Sequence, residues 1–456
     1  MSPTKITGTD ATGTIPLSLN QEFVDVFDHG SDDGPFGYRY HVVDAWRVTG
    51  GPVDLAALRD ALHDVVERHE ALRTRIVGEA GKRCQEISPP GPVRVEVRDF
   101  PETPEESRAA RAEALRREVE DETFGADESP ALRAVLARFD DQDAVLALMI
   151  HHIVSDGMSM DVVIRDLANL YAARTGHTVP TLPKAPQYRE FSDWQRDGAG
   201  AGTEAARDYW RRKLDGALFT ALPTDIPRSA NLPESTAAHR FLIPQDVMSN
   251  IDQLSRTHRT TRFMALVAMY QLLVHRLTGA TDVVIATFTP GRGGQLFEDT
   301  VGPLFNFLPL RTDLAGCASF GELLKRTRRT CLEAFEHEIP ILQIFGQAPE
   351  LMRTAASDNA AAAVFQALPD QRQYVEAPGD LRYGRIPRMM GPQARKSSVP
   401  DGALWTLTRE PSGDASVCLD FKRNLFREET IVSMAENFQE IARKFSSSPD
   451  ASLGLT

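Results

Sequence analysis

The sequence predicts a mixed α/β protein of the α+β class, folded as two lobes. Three observations carry this reading. Apolar runs of strand-like composition alternate irregularly with helix-spaced segments in both halves. A chain of 456 residues exceeds what one hydrophobic core usually holds. Residues 175–185, rich in Pro and Thr, read as a linker between the halves. The expected organisation is a polar tail over 1–14, an N-terminal lobe over 15–178 and a C-terminal lobe over 179–456.

Residues 16–21 open the fold, and the acidic, Gly-rich stretch 28–37 reads as an exposed loop. A strand over 40–48 precedes a long helix capped by Asp54, with Leu55, Leu58, Leu62, Val65, Val66 and Leu72 on its apolar face. That helix is expected to end in the charged run 68–75. A short strand at 93–97 leads to a charged outer helix over 103–124, with Ala109, Ala112, Leu115 and Val119 turned inward. Residues 132–139 and 144–150 form a hairpin around Asp140-Asp141-Gln142-Asp143. A helix over 160–173 closes the first lobe, since Val163, Leu167, Leu170 and Tyr171 share one face. In the second half, helices are expected over 204–214, 245–255, 261–277, 320–337 and 427–445. Strands are expected at 241–243, 282–289, 360–368, 404–407 and 416–421. Pro303 and Pro309 break the apolar segment 301–311 and confine it to an edge or a crossing loop. Residues 378–400 are irregular in pattern.

Composition narrows the function classes. With 42% hydrophobic and 25% charged residues the chain is an ordinary soluble globular protein. A net charge of -13 argues against nucleic acid as a main partner, because phosphate binding rests on clustered Lys and Arg. Cys84, Cys317, Cys331 and Cys418 are scattered, so neither a metal site nor a disulfide framework is indicated and a reducing cytoplasm fits. The start of the chain is polar, and no apolar run reaches the roughly 18 residues of a membrane span. A cytoplasmic protein engaging neither membrane nor nucleic acid is expected.

The chemistry concentrates in Met149-Ile150-His151-His152-Ile153-Val154-Ser155-Asp156-Gly157-Met158-Ser159. Two histidines end an apolar strand, and Asp-Gly follows just before a helix N-terminus. Backbone N–H groups point out of such a terminus, and its dipole favours developing negative charge. A base, a carboxylate and a glycine that admits a substrate closely are the parts acyl transfer needs.

Around this core, residues 15–445 resemble the condensation domains of nonribosomal peptide synthetases, which share the fold of chloramphenicol acetyltransferase. Residues 151–159 match the family's HHxxxDG core. Leu17-Ser18-Leu19-Asn20-Gln21 is similar to its opening motif, with Asn20 where alanine is common. Residues 68–75 resemble its RHExLRT segment and 188–195 its YxDFAxWQ stretch. Residues 301–311 are similar to IGxFVNTLxLR, with Phe307 in place of Thr, and Asn424-Leu425-Phe426 with Thr430-Ile431 resemble the end of the last motif.

The resemblance implies two chloramphenicol-acetyltransferase-like lobes in a V with a central substrate tunnel. A crossing segment near 290–311 and a latch within 378–400 are implied with it. The implied activity moves an aminoacyl or acyl group from the phosphopantetheine thioester of a peptidyl carrier protein to an amine or hydroxyl. That acceptor is a free small molecule or carrier-bound, and no cofactor is permanently bound. His152 is implied as base or positioner and His151 as structural. Asp156 is implied to sit in a buried ion pair, with Arg68 the expected partner and Arg73 and Arg292 the alternatives. Gly157 would leave room for the pantetheine arm and offer its N–H to the oxyanion. Ser155, Met158, Arg292 and Asn306 are the candidate lining residues. A free-standing, monomeric enzyme is the expected form. The alternatives are a non-catalytic recruitment module of the same fold and a CoA-dependent acyltransferase.

Overall fold

Two sheets organise the chain, and each grows from strands that the residue pattern predicts. The structure is a computed structural model that describes residues 15–28, 30–197, 202–292, 294–368, 372–387, 393–395 and 402–454. The expected tail 1–14, and residues 388–392 and 396–400 of the expected latch, lie outside the described residues. The mixed α/β class is the class observed.

Contacts gather the chain into two units, Met1–Ala201 with Pro290–Phe305 and Gln371–Met389, and Gly202–Thr289 with Asn306–Asp370 and Met390–Thr456. In the first unit the described sheet has the order Tyr374–Val375, Arg382–Arg385, His41–Thr49, Asp143–His151, Leu132–Asp140, Arg94–Asp99. The strand Asp143–His151 is buried along its whole length, as its nearly unbroken apolar run requires. It pairs antiparallel with Leu132–Asp140 through the tight turn at Asp141-Gln142, and with His41–Thr49 in a register that sets His41 opposite His151.

Helix Leu55–Arg68 starts at Asp54, whose carboxylate accepts the N–H groups of Ala56 and Ala57 at 2.8 and 3.0 Å. It stops sooner than expected. The charged run splits into a single turn, Glu70–Arg73, and a strand, Thr74–Val77, because β-branched Thr74, Ile76 and Val77 pair with Cys84–Ile87. On the outer helix Glu105–Glu120, Ala112, Leu115 and Val119 are buried as expected but Ala109 is exposed. Arg116 is buried instead, its charge met by Glu113 and Glu120 on the same helix.

The second unit is built on a sheet of order Asn306–Asp313, Asp282–Thr289, Ala360–Ala367, Gly402–Arg409, Ala415–Lys422, Thr236–Ile243, Gln393–Arg395, with Ala221–Pro223 beside Ala360–Ala367. Pro309 lies opposite Ala286 on the edge strand, the kind of position to which a residue without an N–H is confined in a sheet. Helix Arg262–Thr278 is buried almost all round. Thr261 caps its start by accepting the N–H of Met264, and Gly279 takes the left-handed φ of 72° that closes its end.

Two expectations about chain organisation are corrected. Helix Tyr188–Asp197 belongs to the first unit rather than opening the second. Its Tyr188 hydroxyl meets Ser18 Oγ at 2.6 Å and its Gln195 Oε1 accepts the N–H of Leu19 at 2.9 Å, which ties it to the start of the chain. Residues 382–385, irregular by pattern, form a strand between Tyr374–Val375 and His41–Thr49, with Arg382 opposite Thr49 and Arg385 opposite Trp46. Backbone bonds to partners on both sides hold this four-residue strand, and they need no apolar alternation. Here the side chain of Arg385 adds an anchor. It lies 3.1 Å from Asp44, pairs with Asp161, and sits 4.7 Å over the Trp46 ring.

Segment Pro290–Phe305 packs so closely on the first unit that a Cβ at Gly302 would fall 2.1 Å from the Tyr188 ring. Gly302→Ala is expected to cost about 1–3 kcal/mol in denaturant unfolding. Wild-type stability in that variant would contradict the packing.

Candidate active site

The strand Asp143–His151 delivers both histidines to one end of the first unit's sheet. A single turn, His152–Val154, and the capping residue Asp156 then lead into helix Gly157–Arg174. The two rings meet different surroundings. His151 is buried; its Nε2 lies 2.9 Å from the Gly37 carbonyl and its Nδ1 accepts the N–H of Ile153 at 3.2 Å. Burial pushes this imidazole down to about 3, so His151 is neutral and its two nitrogens are spent.

His152 is half-buried. Its main-chain N–H donates to the Tyr40 carbonyl at 2.8 Å, and its Nδ1 lies 2.8 Å from the Ser155 carbonyl. A carbonyl only accepts, so Nδ1 carries the hydrogen, which leaves Nε2 as the acceptor in the uncharged form of the ring. The Tyr40 ring stacks on this imidazole with centroids 4.8 Å apart and planes 16° from parallel.

Asp156 is turned into the protein. One oxygen accepts the N–H and hydroxyl of Ser159, both at 2.7 Å, and the other accepts the N–H of Leu304 at 3.2 Å. Both face the Arg292 guanidinium at 2.7 and 3.0 Å. Arg292 also donates to the carbonyls of Phe297 and Thr300 at 3.0 and 2.7 Å, knitting its own loop together. The partner is therefore Arg292 and not Arg68. Arg68 is engaged at 2.7 Å by Asp166, and Arg73 donates to the Ser88 carbonyl. Gly291, with φ of 60°, makes the turn before Arg292; a Cβ there would fall 2.2 Å from the Leu304 carbonyl.

The expected lining residues fare differently. Ser155 is buried, and its hydroxyl donates to the His151 carbonyl at 3.0 Å, so only its own carbonyl serves the site. Arg292 is spent on Asp156. Asn306, in the second unit, donates to Glu338 at 3.0 Å and to the Ile339 carbonyl at 2.9 Å while accepting the N–H of Ile341. It is a structural knot. Met158 is half-buried, and Gly157 is exposed with open space where a Cβ would project. Capping takes the N–H of Ser159, which leaves that of Gly157 at the open helix end.

Residues outside the motif complete the support. Asp166, fully buried on the same helix, is met by Arg68, Arg165 and the Nε2 of His69 at 2.9 Å. Burial alone would raise its carboxyl, but His69, Arg165 and Arg68 outweigh that and hold it at about 2. Arg165 also pairs with Asp299, a second tie from the helix to segment Pro290–Phe305. Sequence patterns single out none of Asp166, Asp299 and Tyr40. The RHE run points at Asp166's partners, and Tyr40 has only its place at a strand start as a signal. A cavity of about 570 Å³ lies apart from the motif, between Arg68, Asn169, Leu182 and Lys184. Among the described residues no group of three or more His, Cys, Asp or Glu is placed to hold a metal. No described helix is long and apolar enough to cross a membrane.

The family model for the condensation domain matches residues 14–455. The chain belongs to the condensation-domain family. It is 31% identical over 443 residues to one of the linear gramicidin synthase proteins of Brevibacillus parabrevis, covering 96% of this chain and 6% of that protein. It is 31% identical over 449 residues to phosphinothricin tripeptide synthetase PhsC of Streptomyces viridochromogenes, covering 96% of this chain and 40% of that protein. The chain thus spans well under half the length of either synthetase. Among solved structures, SgcC5 of Streptomyces globisporus superimposes with a TM-score of 0.90 at 46% identity, covering 96% of this chain and all of that one. The X-domain from teicoplanin biosynthesis shares the fold, with a TM-score of 0.75 at 24% identity over 98% of each chain. This is a condensation domain of the type found in nonribosomal natural-product biosynthesis.

Arg292→Met leaves Asp156 an unpaired, largely buried carboxylate and is expected to cost about 3–5 kcal/mol. Asp156→Asn in the same chain should recover part of that loss in a double-mutant cycle, and strict additivity would contradict the pair. Because the folded-state value of Asp166 lies below the ordinary carboxylate range, its contribution is present above about pH 4 and is lost as pH falls toward 2. Acid unfolding followed by circular dichroism should therefore lose a component in that window in Asp166→Asn. An unchanged profile would contradict the buried cluster.

Proposed function

We propose that this condensation domain transfers an aminoacyl or acyl group from the phosphopantetheine thioester of a peptidyl carrier protein to an amine or hydroxyl. The observation that carries the proposal is the Nδ1 contact of His152 with the Ser155 carbonyl, which leaves Nε2 as an acceptor at a half-buried position. In the reaction the acceptor's N–H or O–H donates to Nε2 while its heavy atom attacks the thioester carbonyl. The tetrahedral oxyanion forms at the open start of helix Gly157–Arg174, where the Gly157 N–H and the helix dipole favour negative charge. Collapse breaks the C–S bond, and the imidazolium returns its proton to the departing thiolate. Asp156 never meets substrate in this scheme. It is a scaffold, and the geometry of its five contacts supports that role.

The solved SgcC5 structure holds (R)-(-)-1-(2-naphthyl)-1,2-ethanediol, an aryl vicinal diol. At 46% identity this supports a free small-molecule alcohol as acceptor and an ester as product. The recruitment-module reading is less favoured, because a pure binding shell has no need of a tautomer-fixed base beside an open glycine.

The test pairs one acyl group on a carrier protein with the same group on CoA, and follows product by mass spectrometry with alcohol and amine acceptors. Carrier-dependent transfer should fall by about 10²–10⁴ in His152→Ala, and by more for the alcohol, whose oxygen is a poor nucleophile until its proton leaves. Transfer from CoA alone would move the chain to the CoA-dependent branch. Carrier binding without transfer would favour recruitment.

A further inference from the structure

Tyr40 stands outside the motif and touches His152 twice. Its carbonyl holds the main chain of His152, and its ring lies flat against the imidazole at 4.8 Å and 16°. Its contact with His151 is more distant and edge-on, with centroids 6.3 Å apart and planes at 69°. The difference matters because the two imidazoles need different help. His151 is pinned at both nitrogens, to Gly37 and to Ile153. His152 is pinned at one, to Ser155. The terminal torsion of a histidine is broad and roughly two-fold, so one hydrogen bond alone leaves its ring able to tilt or flip. A flipped ring would present Nδ1 where Nε2 belongs.

We propose that Tyr40 is a positioning residue for the transfer reaction. The face of its ring holds the imidazole of His152 in the plane that keeps Nδ1 on the Ser155 carbonyl and Nε2 free for the acceptor's proton. The claim rests on the transfer reading above and concerns the ring face, not the hydroxyl. Burial pushes the phenol up to about 12, so the hydroxyl keeps its proton at neutral pH. An aromatic face also suits the cation that His152 becomes on taking the proton, since the ring quadrupole attracts positive charge within about 6 Å of its centroid.

The experiment compares Tyr40→Phe, which keeps the face, with Tyr40→Leu, which keeps bulk and loses it. Both are made in the full chain, with melting temperature as the check on folding. Steady-state transfer from the carrier-bound donor gives kcat and KM separately, and 15N NMR of the histidine rings reports which nitrogen of His152 carries the hydrogen. Tyr40→Leu should lower kcat about tenfold with KM within about twofold, and its NMR spectrum should show mixed ring tautomers. Tyr40→Phe should stay within about twofold of wild type with the Nδ1–H form retained. Should Tyr40→Leu not fold, Tyr40→Met makes the same comparison. An unchanged tautomer and kcat in the aliphatic variant would overturn the proposal, and so would a loss in Tyr40→Phe equal to that in Tyr40→Leu. The NMR readout needs no turnover. A wild type that transfers nothing would therefore sink the transfer reading, while the tautomer comparison still decides the role of Tyr40.

Discussion

The ion pair between Asp156 and Arg292 is the constraint on which the site depends. One carboxylate caps the helix that follows the histidines, accepts the N–H of Leu304 and neutralises a guanidinium that in turn closes its own loop. Removing two charges from water is costly, and such a pair survives only where every oxygen and most N–H groups find partners. Asp156 meets that condition at both oxygens. Strand end, the turn His152–Val154, helix start and segment Pro290–Phe305 are thereby fixed as one piece.

Helix Gly157–Arg174 extends the same logic along its length. Asp156 at its cap, Asp161 one turn on and Arg165 a turn later each bind a residue from much later in the chain, namely Arg292, Arg385 and Asp299. The helix that carries the motif is therefore held by segments separated from it by more than a hundred residues. Within this frame the adjacent histidines divide their duties by burial. His151 is neutral and bonded at both nitrogens, while His152 is half-buried with one nitrogen free. Adjacent identical side chains acquire separate roles because strand alternation turns one inward and the turn that follows releases the other.

Local features are legible in the sequence. The hairpin around Asp141-Gln142, the Asp54 cap, the edge position forced by Pro309 and the motif's place between strand and helix all follow from patterns a few residues long. Choices made over long distances are not legible. Nothing near Asp156 reveals that Arg292 outcompetes Arg68, because the deciding fact is that Asp166 already holds Arg68. Strand Arg382–Arg385 is hidden because it is only four residues long and its pairing spends backbone groups, which leaves no alternation to read. Helix Tyr188–Asp197 reads as part of the second half because its partners, Ser18 and Leu19, lie about 170 residues earlier. Ser155 and Asn306 are polar residues near a motif, and burial turns both to structural ends.

The most direct test of the central claim is a crystal structure of the chain with a non-hydrolysable thioether analogue of an acyl-pantetheine and an alcohol acceptor. The account predicts the acceptor oxygen about 2.6–3.2 Å from His152 Nε2, with Nδ1 still on the Ser155 carbonyl and Asp156 still paired with Arg292. An acceptor that met Asp156 directly, or a ligand seated away from His152, would contradict it.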